Sequence, residues 1–188
     1  MSDEQENEGT SRAVDLEHER LIARDPHAWE AFYERNYSAM VAYAQRRLPS
    51  IDDARDAVGD AMTRVVDGLQ RMDESGASPE AWSYGVLRHV VLDYQRKMYR
   101  KRQVKTQREI SSPEPFERLI ASEEHDAVRA AFELLPERDR EVLELRVVAG
   151  LSADEVANVL KMKPGAVRMA QARALERLRG LLESEGTP

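Results

Sequence analysis

The sequence predicts an all-α protein made of two small helical domains joined by a flexible linker: a three-to-four-helix bundle, then a helix-turn-helix unit. Three observations carry this. Apolar residues recur at intervals of three and four through most of the chain, without strand-like alternation. Prolines and Ser or Asp caps stand where those periodic stretches begin. The periodicity lapses over RQVKTQREISSPEP, a polar stretch with two prolines starting at residue 102.

The elements follow in order. Residues 1–20 are acidic, lack apolar periodicity and are expected to form a disordered arm. The first domain is expected over 21–101. Asp25 caps its first helix and Pro26 is the first helical residue, with a stripe of Trp29, Phe32, Tyr33, Tyr37, Met40, Val41, Ala44 and Leu48 ending at Pro49. The second helix runs from Asp52 to about Leu69, with Ala54, Ala57, Val58, Ala61, Met62, Val65 and Val66 inward. Asp53, Asp56, Asp60 and Asp67 share its opposite side. After a loop over 72–78, Ser78 and Pro79 open a third helix with Tyr84, Leu87, Val91, Tyr94 and Met98 as its stripe, widened by Trp82, Val86 and Val90. Three such helices make one bundle.

The linker is expected over 102–122 and the second domain over 123–185. Pro136 divides its helices: one ends near Leu135, and the next runs from Glu137 to Ala149, where Gly150 stops it. Ser152 and Glu155 form a capping box for a helix ending near Leu160, and Pro164 opens the last helix, which reaches about Leu182.

Composition removes several function classes. There is no cysteine, which excludes disulfides, thiolate chemistry and cysteine zinc sites. No apolar run approaches a membrane span, and the acidic N-terminus is no secretory signal, so a cytoplasmic address without membrane contact is expected. His18, His27, His89 and His125 are scattered. Glu123, Glu124, His125 and Asp126 cluster without a partner at metal-ligand spacing. With no glycine-rich phosphate loop and no nucleophile elbow, no catalytic residue, metal or cofactor is expected, and the chain is read as not an enzyme.

Charge supplies the positive signal. The net charge is −7, yet residues 88–108 carry +7 and residues 161–179 carry +5, leaving −19 for the remainder. Two basic islands on helices in an acidic background suit phosphate contact better than a merely solvated face.

The most specific segment is LSADEVANVLKMKPGAVRMAQARALERLR. Two short helices cross steeply only where small or branched apolar residues meet, and Val156, Ala157, Leu160, Met162 and Val167 satisfy that demand. The second of them then presents Arg168, Met169, Gln171, Ala172 and Arg173 as a recognition surface for a major groove, with Lys161, Lys163 and Arg177 placed for phosphates. Lys161 occupies a turn position where glycine is usual.

LPERDREVLELRVVAGLSADEVANVLKMKPGAVRMAQARALERLR resembles region 4 of extracytoplasmic-function (ECF) sigma factors. AFYERNYSAMVAYAQRRL is similar to the opening helix of region 2 in that family, and DDARDAVGDAMTRVV to its D-A-x-D-x-x-Q-E-x-F helix. AWSYGVLRHVVLDYQRK resembles the W-L-Y-x-I-A-x-N-x-x-x-D-x-x-R helix that engages the opened minus-10 element. The resemblance covers about residues 25–182. It implies an alternative sigma factor that joins core RNA polymerase, through the β′ clamp helices and the β flap, and directs it to promoter DNA. Core binding would then fall to Asp53, Asp56, Asp60 and Arg64. Minus-10 DNA would fall to Asp73, Glu74, Ser75, Trp82, His89, Asp93, Arg96, Lys97, Arg100 and Lys101. Minus-35 DNA would fall to Lys161, Lys163, Arg168, Met169, Gln171, Ala172, Arg173 and Arg177. Departures from the family pattern are Gly59 for its glutamine, Ala57 for a larger aliphatic residue, His89 for its asparagine and Ala170 for a common arginine. With no long C-terminal extension, restraint is expected from an anti-sigma factor, from expression or from turnover. The rival reading is a helix-turn-helix regulator that binds duplex operators without entering polymerase; it leaves the acidic second helix and the basic third helix unexplained.

Overall fold

The computed structural model describes residues 16–68, 71–72, 75, 77–104 and 123–185, and every regular element among these described residues is helical. Most of the expected arm, most of the linker, Asp73, Glu74 and the side chain of Lys101 lie outside the described residues.

The first helix, α1 (16–22), corrects the expectation that the acidic arm extends to residue 20. Leu21 is wholly buried with Ala28 and Phe32, and its carbonyl accepts from Trp29 Nε1 at 3.1 Å. A helix of two turns is too short for its period to stand out; it persists because one leucine finds a tertiary socket. At Asp25 the chain turns into α2 (Pro26–Gln45). The Asp25 carboxylate accepts from the His27 amide at 3.0 Å, and the Arg20 guanidinium bonded to it holds its pKa below the ordinary value.

Ser50 caps α3 (Ile51–Asp67), with its hydroxyl accepting from the Asp53 amide. Ser78 likewise caps α4 (Pro79–Val104), accepting from the Ala81 amide at 3.2 Å. This helix continues three residues into the stretch expected to be linker. Helices α2, α3 and α4 pack on one another around Met40, Ala44, Ala54, Val58, Ala61, Leu87 and Val91.

The second unit begins with α5 (Glu123–Glu133) and α6 (Glu137–Leu143). The single helix expected from Glu137 to Ala149 is interrupted: α6 passes into a π-helix over Glu144–Val148, where the Ala149 amide donates to the Glu144 carbonyl at 2.9 Å. Gly150 then turns the chain at a φ of 70°. The capping box forms as expected, Glu155 N to Ser152 Oγ and Ser152 N to Glu155 Oε2, and starts α7 (Ala153–Leu160). Lys161 closes α7 in the left-handed region at a φ of 55°, the reason glycine is usual there. Pro164 opens α8 (Pro164–Glu185), which packs against α5, α6 and α7.

The two units are docked. Their apolar cores join into one cluster, and α7 lies against α4. Beside this seam Arg47 sits 2.7 Å from Glu144 Oε2, Arg46 also pairs with Glu144, and Tyr43 donates to Glu141 at 2.6 Å. Burial is the main reason the Tyr43 hydroxyl's pKa lies far above its ordinary value.

Candidate nucleic-acid interface

The acidic side of α3 is built from groups with different freedom. Asp56 is exposed. Asp53 is half-buried and accepts from Ser50 Oγ at 2.6 Å, so part of its capacity serves the helix start. Asp60 is exposed but accepts from Tyr94 of α4 at 2.9 Å. That hydroxyl is pushed up to about 12, first by burial, then by the Asp60 bond and the charges of Asp56 and Asp53. Arg64 leans across to Asp93 at 3.7 Å. The α3 aspartates thus form an anionic edge, partly braced by α4.

On α4, Arg96, Lys97 and Arg100 are exposed along one stretch. Asp93 pairs with both Arg64 and Arg96, the latter at 3.4 Å, and so lies between the two cations. Lys97 lies over the Tyr94 ring at 5.4 Å. Toward the start of α4, Trp82 is half-buried against Gly68, where a Cβ would fall 2.9 Å from the indole ring. His89 is exposed, and its Nδ1 lies 2.7 Å from the Gly85 carbonyl. A carbonyl only accepts, so Nδ1 carries the hydrogen and Nε2 faces outward. Ser75 is exposed and spends its hydroxyl hydrogen on the Met72 carbonyl at 2.7 Å.

Trp82 and His89 line a cleft of about 940 Å³ whose opposite wall is α7, with Glu155, Asn158 and Lys161 facing them. Glu155 also accepts from Ser78 across the seam. Burial raises the Glu155 pKa, but the bonds from Ser78 and Ser152 outweigh it and leave it below the ordinary value.

The surface of α8 divides cleanly. Val167, Ala170 and Ala174 are buried in the hairpin, whereas Arg168, Met169, Ala172 and Arg173 face outward. Lys161 and Lys163 are exposed at the turn. Ala170, singled out as a departure, is 1% exposed and points inward, so it is not part of the outward surface. Gln171 is half-buried at the flank, where its Oε1 accepts from Arg146 at 2.9 Å; it does not stand free beside Arg168 as expected. Arg173 and Arg177 both reach the buried Asp139, at 3.5 and 3.1 Å, while remaining half-exposed. That pairing anchors α8 on α6 and orients two guanidinium groups. Asp139 and Arg146 escaped sequence reasoning because each looks like an ordinary surface charge on an amphipathic helix. Among the described residues no helix is long and apolar enough to cross a membrane, and no cluster of three His or acidic groups suits a metal.

Comparison with known proteins agrees with this arrangement. Residues 32–102 match the Sigma-70 region 2 family, and residues 125–178 match Sigma-70, region 4. The chain is 34% identical to the ECF RNA polymerase sigma factor ShbA of Streptomyces griseus, over 87% of this chain and 92% of that protein. It is 30% identical to the ECF RNA polymerase sigma factor SigD of Mycobacterium tuberculosis, over 88% of this chain and 82% of that protein. Among solved structures, the fold resembles the sigma factor RpoE in complex with the anti-sigma factor NepR from Bartonella quintana. That match has a TM-score of 0.63 and 23% identity, over 82% of this chain and 96% of the other. It also resembles CnrH in complex with the cytosolic domain of CnrY, with a TM-score of 0.58 and 20% identity over 93% and 99%. Two cationic surfaces on two helical units, in the order of regions 2 and 4 and matched over both, place this chain in the ECF RNA polymerase sigma factor family.

Proposed function

We propose that this chain binds core RNA polymerase through the acidic edge of α3, opens the minus-10 element with α4 and reads the minus-35 element with α8, catalysing nothing itself. The observation that carries the reading is the separation of two exposed cationic stretches, Arg96–Arg100 on α4 and Lys161–Arg173 around α8, onto two helical units. Each is suited to one DNA element. Asp53, Asp56, Asp60 and Arg64 form the polymerase contact on the β′ clamp helices, and the second unit meets the β flap. Trp82 frames a pocket for an unstacked base, with His89 Nε2 at its edge and Asp73, Glu74 and Ser75 adding polar contacts. Arg96, Lys97, Arg100 and Lys101 track phosphates. Because α7 walls the cleft in front of Trp82 and His89, the two units part when promoter DNA enters. An anti-sigma factor is the natural restraining partner; the Bartonella RpoE is in complex with one. The chain acts in the cytoplasm.

Run-off transcription with core polymerase tests the reading. The chain should make core initiate at a defined start site, which a conventional operator-binding regulator does not do. Asp56→Lys with Asp60→Lys should abolish holoenzyme assembly while helical content stays intact. Wild-type affinity of that variant for core removes α3 from the contact, and failure to support any specific start removes the function.

A further inference from the structure

The π-helix Glu144–Val148 carries a half-buried arginine that joins three parts of the second unit. Arg146 Nε donates to Gln171 Oε1 at 2.9 Å, and Arg146 Nη1 donates to the carbonyl of Leu151. The helix before the turn, the entry to α7 and the flank of α8 are tied by one side chain. This bond also settles which way the glutamine amide points. A guanidinium has donors and no acceptor, so Gln171 must offer it oxygen. Its amide nitrogen is then turned away, is not buried, and has no acceptor among the described residues.

Pairing of glutamine with adenine needs both halves of the amide: oxygen accepting from N6 and nitrogen donating to N7. With Oε1 turned toward Arg146, the half of the amide left for another partner is the nitrogen with its N–H donors. Guanine offers two acceptors in the major groove, N7 and O6, whereas adenine sets its N6 amino group against the glutamine donors. We propose that Arg146 is a positioning residue that holds the oxygen of Gln171 and leaves its N–H donors for the groove, so that at its position the recognition helix selects guanine over adenine. This rests on the reading of α8 as the minus-35 helix.

The test uses the full chain with core polymerase on promoters randomised across the minus-35 element, with transcripts sequenced. Wild type should prefer guanine over adenine at one base pair, and Gln171→Ala should flatten that pair alone by about three- to tenfold, the range one hydrogen bond supplies. Arg146→Met releases Oε1 and should turn the same pair toward adenine, whereas Arg146→Lys, still a donor only, should keep guanine. A merely structural arginine would lower output on all promoters without changing the base. Should Arg146→Met fail to fold, Gln171→Glu decides: it keeps a partner for Arg146 but has only acceptors, and should move the preference to cytosine. If Arg168→Ala or Met169→Ala shifts base preference and no Gln171 variant does, the proposal is overturned and α8 remains the reader. If no α8 variant shifts any base, the reading of α8 fails instead. A folded Arg146→Met that keeps guanine overturns the role of Arg146.

Discussion

Removing the Glu144 carboxylate should open the two docked units. Glu144 is 3% exposed and sits between Arg46 and Arg47, the latter 2.7 Å from Oε2. In Glu144→Ala, Arg47 stays largely buried and, among the described residues, keeps Glu141, 3.8 Å away, as its counter-charge. Taking one partner from a buried ion pair costs about 3–5 kcal/mol. The residual Glu141 contact and the half-exposed Arg46 put this case at the low end, about 3 kcal/mol, which is roughly a 150-fold shift toward the open arrangement. Because the chain has no cysteine, Ser38→Cys in α2 and Glu176→Cys in α8 supply the only thiols for a dye pair. Single-molecule energy transfer should show one high-efficiency population for the docked chain and a lower one in Glu144→Ala, with Glu144→Gln between them. Buried pairs are weakly screened, so moderate salt should move the parent chain far less than the substitution does. If folded Glu144→Ala keeps the parental distribution, the carboxylate does not hold the units together.

Three further outcomes follow from local geometry. Gly68→Ala should destabilise the first unit by about 1–3 kcal/mol in urea unfolding, because the added Cβ would lie 2.9 Å from the Trp82 ring and 3.0 Å from the Arg64 carbonyl; an unchanged midpoint would mean that Trp82 moves freely. Lys161→Gly should raise stability by about 1 kcal/mol, since Lys161 holds a φ of 55°, while weakening DNA binding and lowering its salt slope by about one charge; parallel losses of both would contradict the split. Glu155 has its pKa lowered from 4.5, so its stabilisation is complete above that value and is lost as pH falls through the lowered pKa. Parent and Glu155→Gln melting temperatures should therefore converge as pH drops below about 4.5, and a constant gap would show that the charge is not what stabilises.

Local chemistry alone determined much of this protein. Asp25 with Pro26, Ser78 with Pro79, Ser152 with Glu155 and Pro164 each start a helix where the sequence puts one, because a cap satisfies backbone amides within three residues and needs no distant partner. The same locality made the helix-turn-helix and its outward Arg168, Met169 and Ala172 readable, since helical spacing divides a buried face from an exposed one. Tertiary structure alone decided what spacing cannot encode. The helix over 16–22 is held to the bundle by Leu21, which Phe32 and Ala28 receive, and by a hydrogen bond from Trp29 to the Leu21 carbonyl. The pull of the joint core is matched by ion pairs between residues as far apart as Arg46 and Glu144, whose charges look identical in sequence to solvated ones. Gln171 turns from a free reader into a held donor through Arg146, 25 positions away. A periodic pattern specifies which side of a helix is apolar; which partner meets a polar group at its edge is fixed only when the helices have been brought together.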